Sequence, residues 1–178
     1  MKFETERLFC RSLTLQEYEE FEAGCEPKWN GFTNPYKCLV EGPSPLKYRI
    51  PRVKKDPSFA EIALVIAISK DQKEIVGSAG FHLFPDEEGM IEIGFGIVPE
   101  MQNKGYGKEL LHGMWLMISS RTDVKTLRYT VTPDNAPSVH IIKSLGFNLV
   151  GEQMDEEDGL ELIYELPLQE YLQNFHRK

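Results

Sequence analysis

From Ile91 to Leu111 the chain has little freedom in its local structure. Ile91-Glu92-Ile93-Gly94-Phe95-Gly96-Ile97-Val98 alternates apolar with polar or glycine positions, the period of a strand. Pro99-Glu100-Met101 and Gln102-Asn103-Lys104-Gly105-Tyr106-Gly107 then supply a turn. Leu110, Leu111, Met114, Trp115 and Ile118 recur at helical spacing, predicting a helix over about 105–120. Two glycines at i and i+2 leave the backbone N–H groups at that helix start unobstructed. Together with the helix dipole, such N–H groups favour an anion, typically a phosphate. Lys104 and Lys108 add positive charge there. The turn lacks the Gly-Lys-Ser/Thr of a nucleotide P-loop and the Gly-x-Gly-x-x-Gly of dinucleotide folds. A bare Gly-x-Gly also serves a tight strand-to-helix turn with no ligand.

The remaining pattern places this unit in one mixed sheet. Arg7–Leu13 reads as a strand, and Thr14 with Glu17 forms a capping box for a helix that stops at Gly24. Residues 26–57 hold most of the prolines and read as one long irregular region with a short helix near 46–53, the kind of segment that carries acceptor binding. Glu61–Ser69, Glu74–Phe84 and Met90–Val98 read as an antiparallel strand meander. Thr126–Thr132 is a strand, Asn135–Leu145 a helix stopped by Gly146, and Phe147–Glu152 and Leu160–Leu166 are closing strands. The fold expected is α/β (α+β): a single, mainly antiparallel central sheet flanked by helices, with residues 1–178 forming one domain.

A formal net charge of −8 argues against binding nucleic-acid backbones, which need a basic face. The longest strongly apolar stretch, Ile62–Ile68, is too short for a bilayer, so no membrane partner is expected. Three cysteines without Cys-x-x-Cys predict neither a disulfide framework nor a metal site. With no apolar leader at the N-terminus, a cytoplasmic location is expected. The basic residues Lys47, Arg49, Arg52, Lys54 and Lys55 read either as a solvated helical face or as a cluster that meets a ligand phosphate. Asp155-Glu156-Glu157-Asp158 reads as an acidic hairpin tip, which would draw in a cationic amine if it bordered an acceptor site.

Gln102-x-x-Gly105-x-Gly107 after a strand resembles the acetyl-coenzyme A pyrophosphate loop of the GNAT superfamily of N-acetyltransferases. Asn135-Ala136-Pro137-Ser138 with Leu145-Gly146-Phe147 is similar to that family's second landmark. Glu4-Thr5-Glu6-Arg7-Leu8 with Arg11 resembles the opening of its ribosomal-protein N-terminal acetyltransferase branch. The resemblance implies a GNAT-like acyl-coenzyme A N-acyltransferase fold. It implies acetyl-coenzyme A as acyl donor, its pantetheine against the backbone of Phe95, Ile97 and Val98. The pyrophosphate would rest on Gln102, Asn103, Lys104, Gly105, Tyr106, Gly107 and Lys108, with Asn135 and Ser138 toward the thioester end.

Acetyl transfer needs a neutral amine, so some group must take its proton. Glu92 shares a strand face with Gly94 and Gly96 and is the expected base, a solvated strand carboxylate being the alternative. The Tyr that many family members carry as general acid falls at Ile142 here, leaving Ser138, Ser144 or water as substitutes, or a thiolate that leaves unprotonated. Trp29, Phe32 and Tyr36 either line an acceptor pocket or anchor the irregular region. The acceptor expected is a protein or peptide N-terminus, then a small amine, on a monomer or homodimer. A catalytically inactive coenzyme A-binding sensor or an interaction module of the same fold is the alternative.

Overall fold

Leu8, Cys10 and Ser12 are buried while Phe9 and Arg11 are half-buried, the mark of a strand with one face on the core. A computed structural model describes residues 1–42 and 44–176. In it this strand, β2 (Leu8–Ser12), pairs antiparallel with β1 (Lys2–Glu4) and with β3 (Val65–Ser69). β3 pairs antiparallel with β4 (Ile75–Phe81). β5 (Met90–Ile97) and β6 (Thr126–Val131) run parallel, whereas β8 (Gly159–Pro167) is antiparallel to both β6 and β7 (Asn148–Asp155). The hydrogen-bonded order is β1-β2-β3-β4-β5-β6-β8-β7, a mixed and mainly antiparallel sheet. The helices are α1 (Leu15–Glu22), α2 (Leu46–Lys55), α3 (Ala60–Ala63), α4 (Tyr106–Ile118), α5 (Ala136–Ser144) and α6 (Leu168–His176).

The chain gathers into two compact units. One holds Met1–His82 and Phe95–Met114; the other holds Leu83–Gly94 and the chain from Trp115 onward. In the first, Leu8, Cys10, Ile66, Val76, Leu110 and Met114 are fully buried. In the second, the Trp115 and Phe147 rings lie 5.8 Å apart and Phe147 meets Tyr171 edge-on at 6.3 Å.

Several local expectations are met. Thr14 caps α1 through a complete capping box with Glu17, and Gly24 takes a φ of 75° just beyond it. Others need correction. The apolar run 61–69 is not one strand: Ala60–Ala63 is a helical turn, and only Val65–Ser69 is extended. Asp56 caps a 3-10 turn at Pro57–Phe59, which leads into a stretch rich in alanine, a strong helix former. A short apolar run does not by periodicity separate a strand from a buried helix. β1 and α6 are additional elements.

Arg49 and Arg52 are not part of a solvated face. Arg49 is buried with its Nε donating to the Ala63 carbonyl at 3.1 Å, and Arg52 Nη1 donates to the His82 carbonyl at 2.6 Å. Outside α2, the described residues of 26–57 are irregular in backbone but tied down by hydrogen bonds. Glu26 accepts hydrogen bonds from Trp29 Nε1, Asn34 Nδ2 and Lys37 Nζ, and Thr33 forms a parallel bridge to Glu74.

Gly77 on β4 is required by close packing. A Cβ there would lie 2.3 Å from the Gly96 carbonyl oxygen and 3.1 Å from Ile97 Cα, both backbone atoms. At Gly96 an added Cβ meets nothing within 4 Å. Gly77→Ala is therefore predicted to cost about 1–3 kcal/mol, seen as a lower urea midpoint, with Gly96→Ala near wild type. Equal midpoints for the two variants would refute this reading.

Candidate active site

The turn before α4 sits in the first unit. β5 ends at Ile97, a 3-10 turn covers Pro99–Met101, and Gln102 leaves it extended at ψ 166°. The Gln102 side chain donates from Nε2 to the Ile97 carbonyl at 2.9 Å, tying the turn back to the strand end. Asn103 and Gly105 then take positive φ values of 58° and 84°, reversing the chain into Tyr106. α4 starts at Tyr106, so its first amides lack partners one turn back within the helix. The Lys104 ammonium turns to Met101 Sδ at 3.3 Å.

A clamp that sequence reasoning missed holds this turn. Glu109, one turn into α4, accepts hydrogen bonds from Thr5 Oγ1 at 2.6 Å, Arg7 N at 2.7 Å and Arg7 Nε at 2.7 Å. Arg7 Nη1 also donates to the Lys104 carbonyl at 2.8 Å, and its guanidinium lies 4.5 Å from the Tyr106 ring centre. Arg7 thus fixes the turn and neutralises a carboxylate that would oppose an anion at the helix start. Burial pushes the Glu109 carboxyl up, but hydrogen bonds from Thr5 and Arg7 and the Arg7 charge hold it below its usual 4.5. A depressed folded-state value means the clamp stabilises the fold fully above the unfolded value and is lost as pH falls through the folded one. Arg7→Ala is predicted to cost about 1–2 kcal/mol at pH 7, discounted for the exposure of Arg7. The part of that deficit due to Glu109 should fall away only as pH drops through its depressed folded-state value, below the usual 4.5, leaving the part due to the Lys104 carbonyl and Tyr106 contacts. A deficit that does not shrink at all in acid would mean that the Glu109 pair contributes nothing.

The second unit carries the candidate proton acceptor. Ile91 and Ile93 are buried, so Glu92 and Gly94 lie on the other face of β5, as their spacing predicts. Thr130 Oγ1 donates to Glu92 Oε1 at 2.6 Å. The parallel pairing of β5 with β6 covers Met90↔Thr126 through Glu92↔Arg128.

Glu161 on β8 is a second half-buried carboxylate that sequence reasoning did not single out. Burial pushes its carboxyl above the ordinary value; the Gln153 hydrogen bond at 2.9 Å opposes this, and Asp155, Glu92 and Asp158 add to it. Its signal is position: Ile163 faces Thr130 across the ladder, and two residues along β8 bring Glu161 to that same face. Asp155, at the tip, accepts from the Glu157 and Asp158 amides, which hold its carboxyl below the usual value.

Ser138 lies elsewhere. Tyr129 is buried, which pushes its phenol up to about 12, while a side-chain hydrogen bond with Ser138 pulls the other way. Tyr129 and Thr130 are neighbours on one strand and point to opposite faces, so Glu92 and Ser138 attend opposite faces of this part of the sheet. Asn135 caps α5 by accepting from Ser138 N at 3.3 Å, which engages its side-chain oxygen. Ile142 is fully buried.

The three aromatics of the irregular region split up. Trp29 and Phe32 have ring centres 5.6 Å apart, whereas the Tyr36 hydroxyl donates to Glu74 Oε2 at 3.0 Å. Burial raises the Cys10 thiol to about 12 and the Cys38 thiol to about 11, so neither is a ready nucleophile. Among the described residues no group of three His, Cys, Asp or Glu is placed to hold a metal. Among them, no helix is long and apolar enough to cross a membrane.

The family model for the acetyltransferase (GNAT) domain matches residues 7–148. The chain belongs to the GNAT acetyltransferase family. The uncharacterized N-acetyltransferase YjdG of Bacillus subtilis is 39% identical over 84 residues, 47% of this chain and 50% of that protein. The chain thus matches about half the length of that curated relative. Ribosomal-protein-S5-alanine acetyltransferase from Vibrio fischeri has the same fold, with a TM-score of 0.67 at 14% identity, over 96% of this chain and 98% of that one. Spermidine/spermine N-acetyltransferase SpeG from Vibrio cholerae also shares it, with a TM-score of 0.67 at 15% identity, over 94% and 96%. A GNAT fold therefore underlies the turn, the clamp and the carboxylates described above.

Proposed function

We propose that this chain is an acetyl-coenzyme A-dependent N-acetyltransferase acting on a primary amine. The observation that carries the proposal is the first turn of α4. Its amides lack helical partners, Gly105 and Gly107 keep bulk away from them, and Arg7 cancels the charge of Glu109 beside them. These residues fit a pyrophosphate. Open space at Gly96 suits a pantetheine arm lying along β5. Phe95, Ile97 and Val98 provide backbone groups for that arm, whereas Ser138, on the sheet face opposite Glu92, takes no part in the proton transfer. Bound acetyl-coenzyme A supplies an activated acyl group as a thioester.

Glu92 takes the proton from the attacking ammonium, and Thr130 orients its carboxylate. Glu161, on that same strand face, keeps the surroundings negative and so favours a cationic amine. No covalent acyl-enzyme forms, since all three cysteines, Cys10, Cys25 and Cys38, lie in the first quarter of the chain, outside the cofactor turn. A protein or peptide N-terminus ranks first as acceptor and a small amine second. The two named structural relatives act on different acceptors by their names, so their shared fold does not separate these classes.

Ile142 supports a second reading, a coenzyme A-binding sensor, because a core isoleucine protonates no leaving thiolate. Calorimetry with acetyl-coenzyme A should give saturable binding. A thiol-release assay over amines and N-terminal peptides should show acceptor-dependent turnover. Binding without turnover on any acceptor would establish the sensor; no binding at all would remove both readings.

A further inference from the structure

The sheet face that carries Phe9 and Arg11 holds a cavity of about 330 Å³. Lys2, Arg11, Lys70 and Lys73 line it, and Phe9, Phe32 and Ile68 supply its apolar part. Four cations around one cavity run against the net charge of the chain, −8. Register explains the gathering. Lys2 stands opposite Arg11 across β1–β2, Phe9 stands opposite Ile68 across β2–β3, and Lys70 and Lys73 sit where β3 turns into β4. Phe32 is held over them because the Thr33 amide donates to the Lys73 carbonyl and the Ile75 amide to the Thr33 carbonyl, each at 2.9 Å.

Two carboxylates offset part of this charge. Glu17 pairs with Arg11 at 2.5 Å, and Glu4 pairs with Lys70 at 2.9 Å. The Lys70 ammonium also donates to the Thr5 carbonyl at 2.6 Å, which uses two of its three N–H groups. The Arg11 guanidinium is further held near Trp29 and Phe32, 5.7 Å and 5.4 Å from their ring centres. Four cations against two carboxylates leave an excess of positive charge beside an apolar wall.

We propose that this cavity binds a small organic anion, an apolar body bearing one carboxylate. The apolar wall takes the body, and Lys2, Lys73 and the remaining Lys70 donor take the carboxylate. The same charge repels an ammonium, so an amine acceptor has no place there, and Phe32 serves this site and not acetyl transfer. The site does not depend on which amine the protein acetylates.

The probe is 1-naphthoate, titrated into the full chain by calorimetry and by amide chemical shifts. One saturable site per chain is expected, with the Gly31, Phe32 and Ser69 amides moving first. Neutral 1-naphthamide should bind at least about tenfold more weakly, and Lys2→Glu with Lys73→Glu should weaken 1-naphthoate by about tenfold or more. Lack of saturation up to about 10 mM would overturn the proposal, as would shifts centred elsewhere. Equal binding of the acid and its amide by the wild-type protein would also overturn it, and that comparison stands even if the double variant fails to fold.

Discussion

Glu92→Gln is expected to lower kcat about 10²–10⁴-fold at neutral pH, the contribution of a positioned general base. The replacement keeps shape and keeps an oxygen to accept from Thr130 Oγ1, now at 2.6 Å, so stability should change little. What it removes is the ability to take a proton. The variant must then rely on the small fraction of acceptor already neutral. Ordinary values are about 8 for an α-amine and about 10.4 for a lysine-like amine, so that fraction rises steeply with pH. The variant should regain activity with rising pH, log kcat/KM climbing with a slope near 1, while the wild type levels off earlier. Full activity in the variant at neutral pH would remove Glu92 from the role. Glu161→Gln is the companion measurement, because Glu161 lies near enough to Glu92 to feel its charge. If Glu161 only shapes the field, its loss raises KM for a cationic amine and leaves kcat nearly intact. If instead it drops kcat as Glu92 should, the proton goes to Glu161.

Gly105→Glu is expected to weaken acetyl-coenzyme A by about 100-fold or more, with a smaller loss of stability. Three effects act together. Gly105 has a φ of 84°, which an L side chain adopts at a cost of about 1–2 kcal/mol. Its Cβ would lie 3.2 Å from Arg7 Nη2, so the clamp must give by a few tenths of an ångström. The new carboxylate adds negative charge beside the amides proposed to hold a pyrophosphate and offers Arg7 a second partner besides Glu109. Gly105→Ala separates these terms, carrying the strain and the contact without the charge. It should lose stability like Gly105→Glu but lose much less affinity. Calorimetry and urea denaturation on the same preparations read both quantities. Wild-type affinity in Gly105→Glu would mean that the pyrophosphate rests somewhere else.

What could be read without a structure was local. The strand Met90–Ile97, its turn and α4 were legible because alternation, two glycines and a helical apolar stripe all fall within about two dozen residues. The face shared by Glu92, Gly94 and Gly96 follows from the period of two, and the cap of α1 from Thr14 and Glu17 alone. Family membership was legible for the same reason, since its landmarks are short and ordered along the chain. Ala60–Ala63 was misread because an apolar run of that length suits a buried helix as well as a strand.

The remaining features required distant residues to meet. Arg7 reaches Glu109 across 102 positions, and Glu92 reaches Thr130 across 38, because strand pairing and helix packing join segments that no local pattern links. The face shared by Glu161 and Thr130 depends on the β6–β8 register, and a slip of one residue would reverse it. The basic cavity gathers residues from β1, β2, the β3–β4 turn and the irregular region, so its charge is invisible in a chain whose total is −8. Periodicity and turn chemistry act over a few residues and are written in the sequence itself. Charge pairing, burial and the side of the sheet on which a carboxylate stands act through space, and they exist only once the strands have chosen their neighbours.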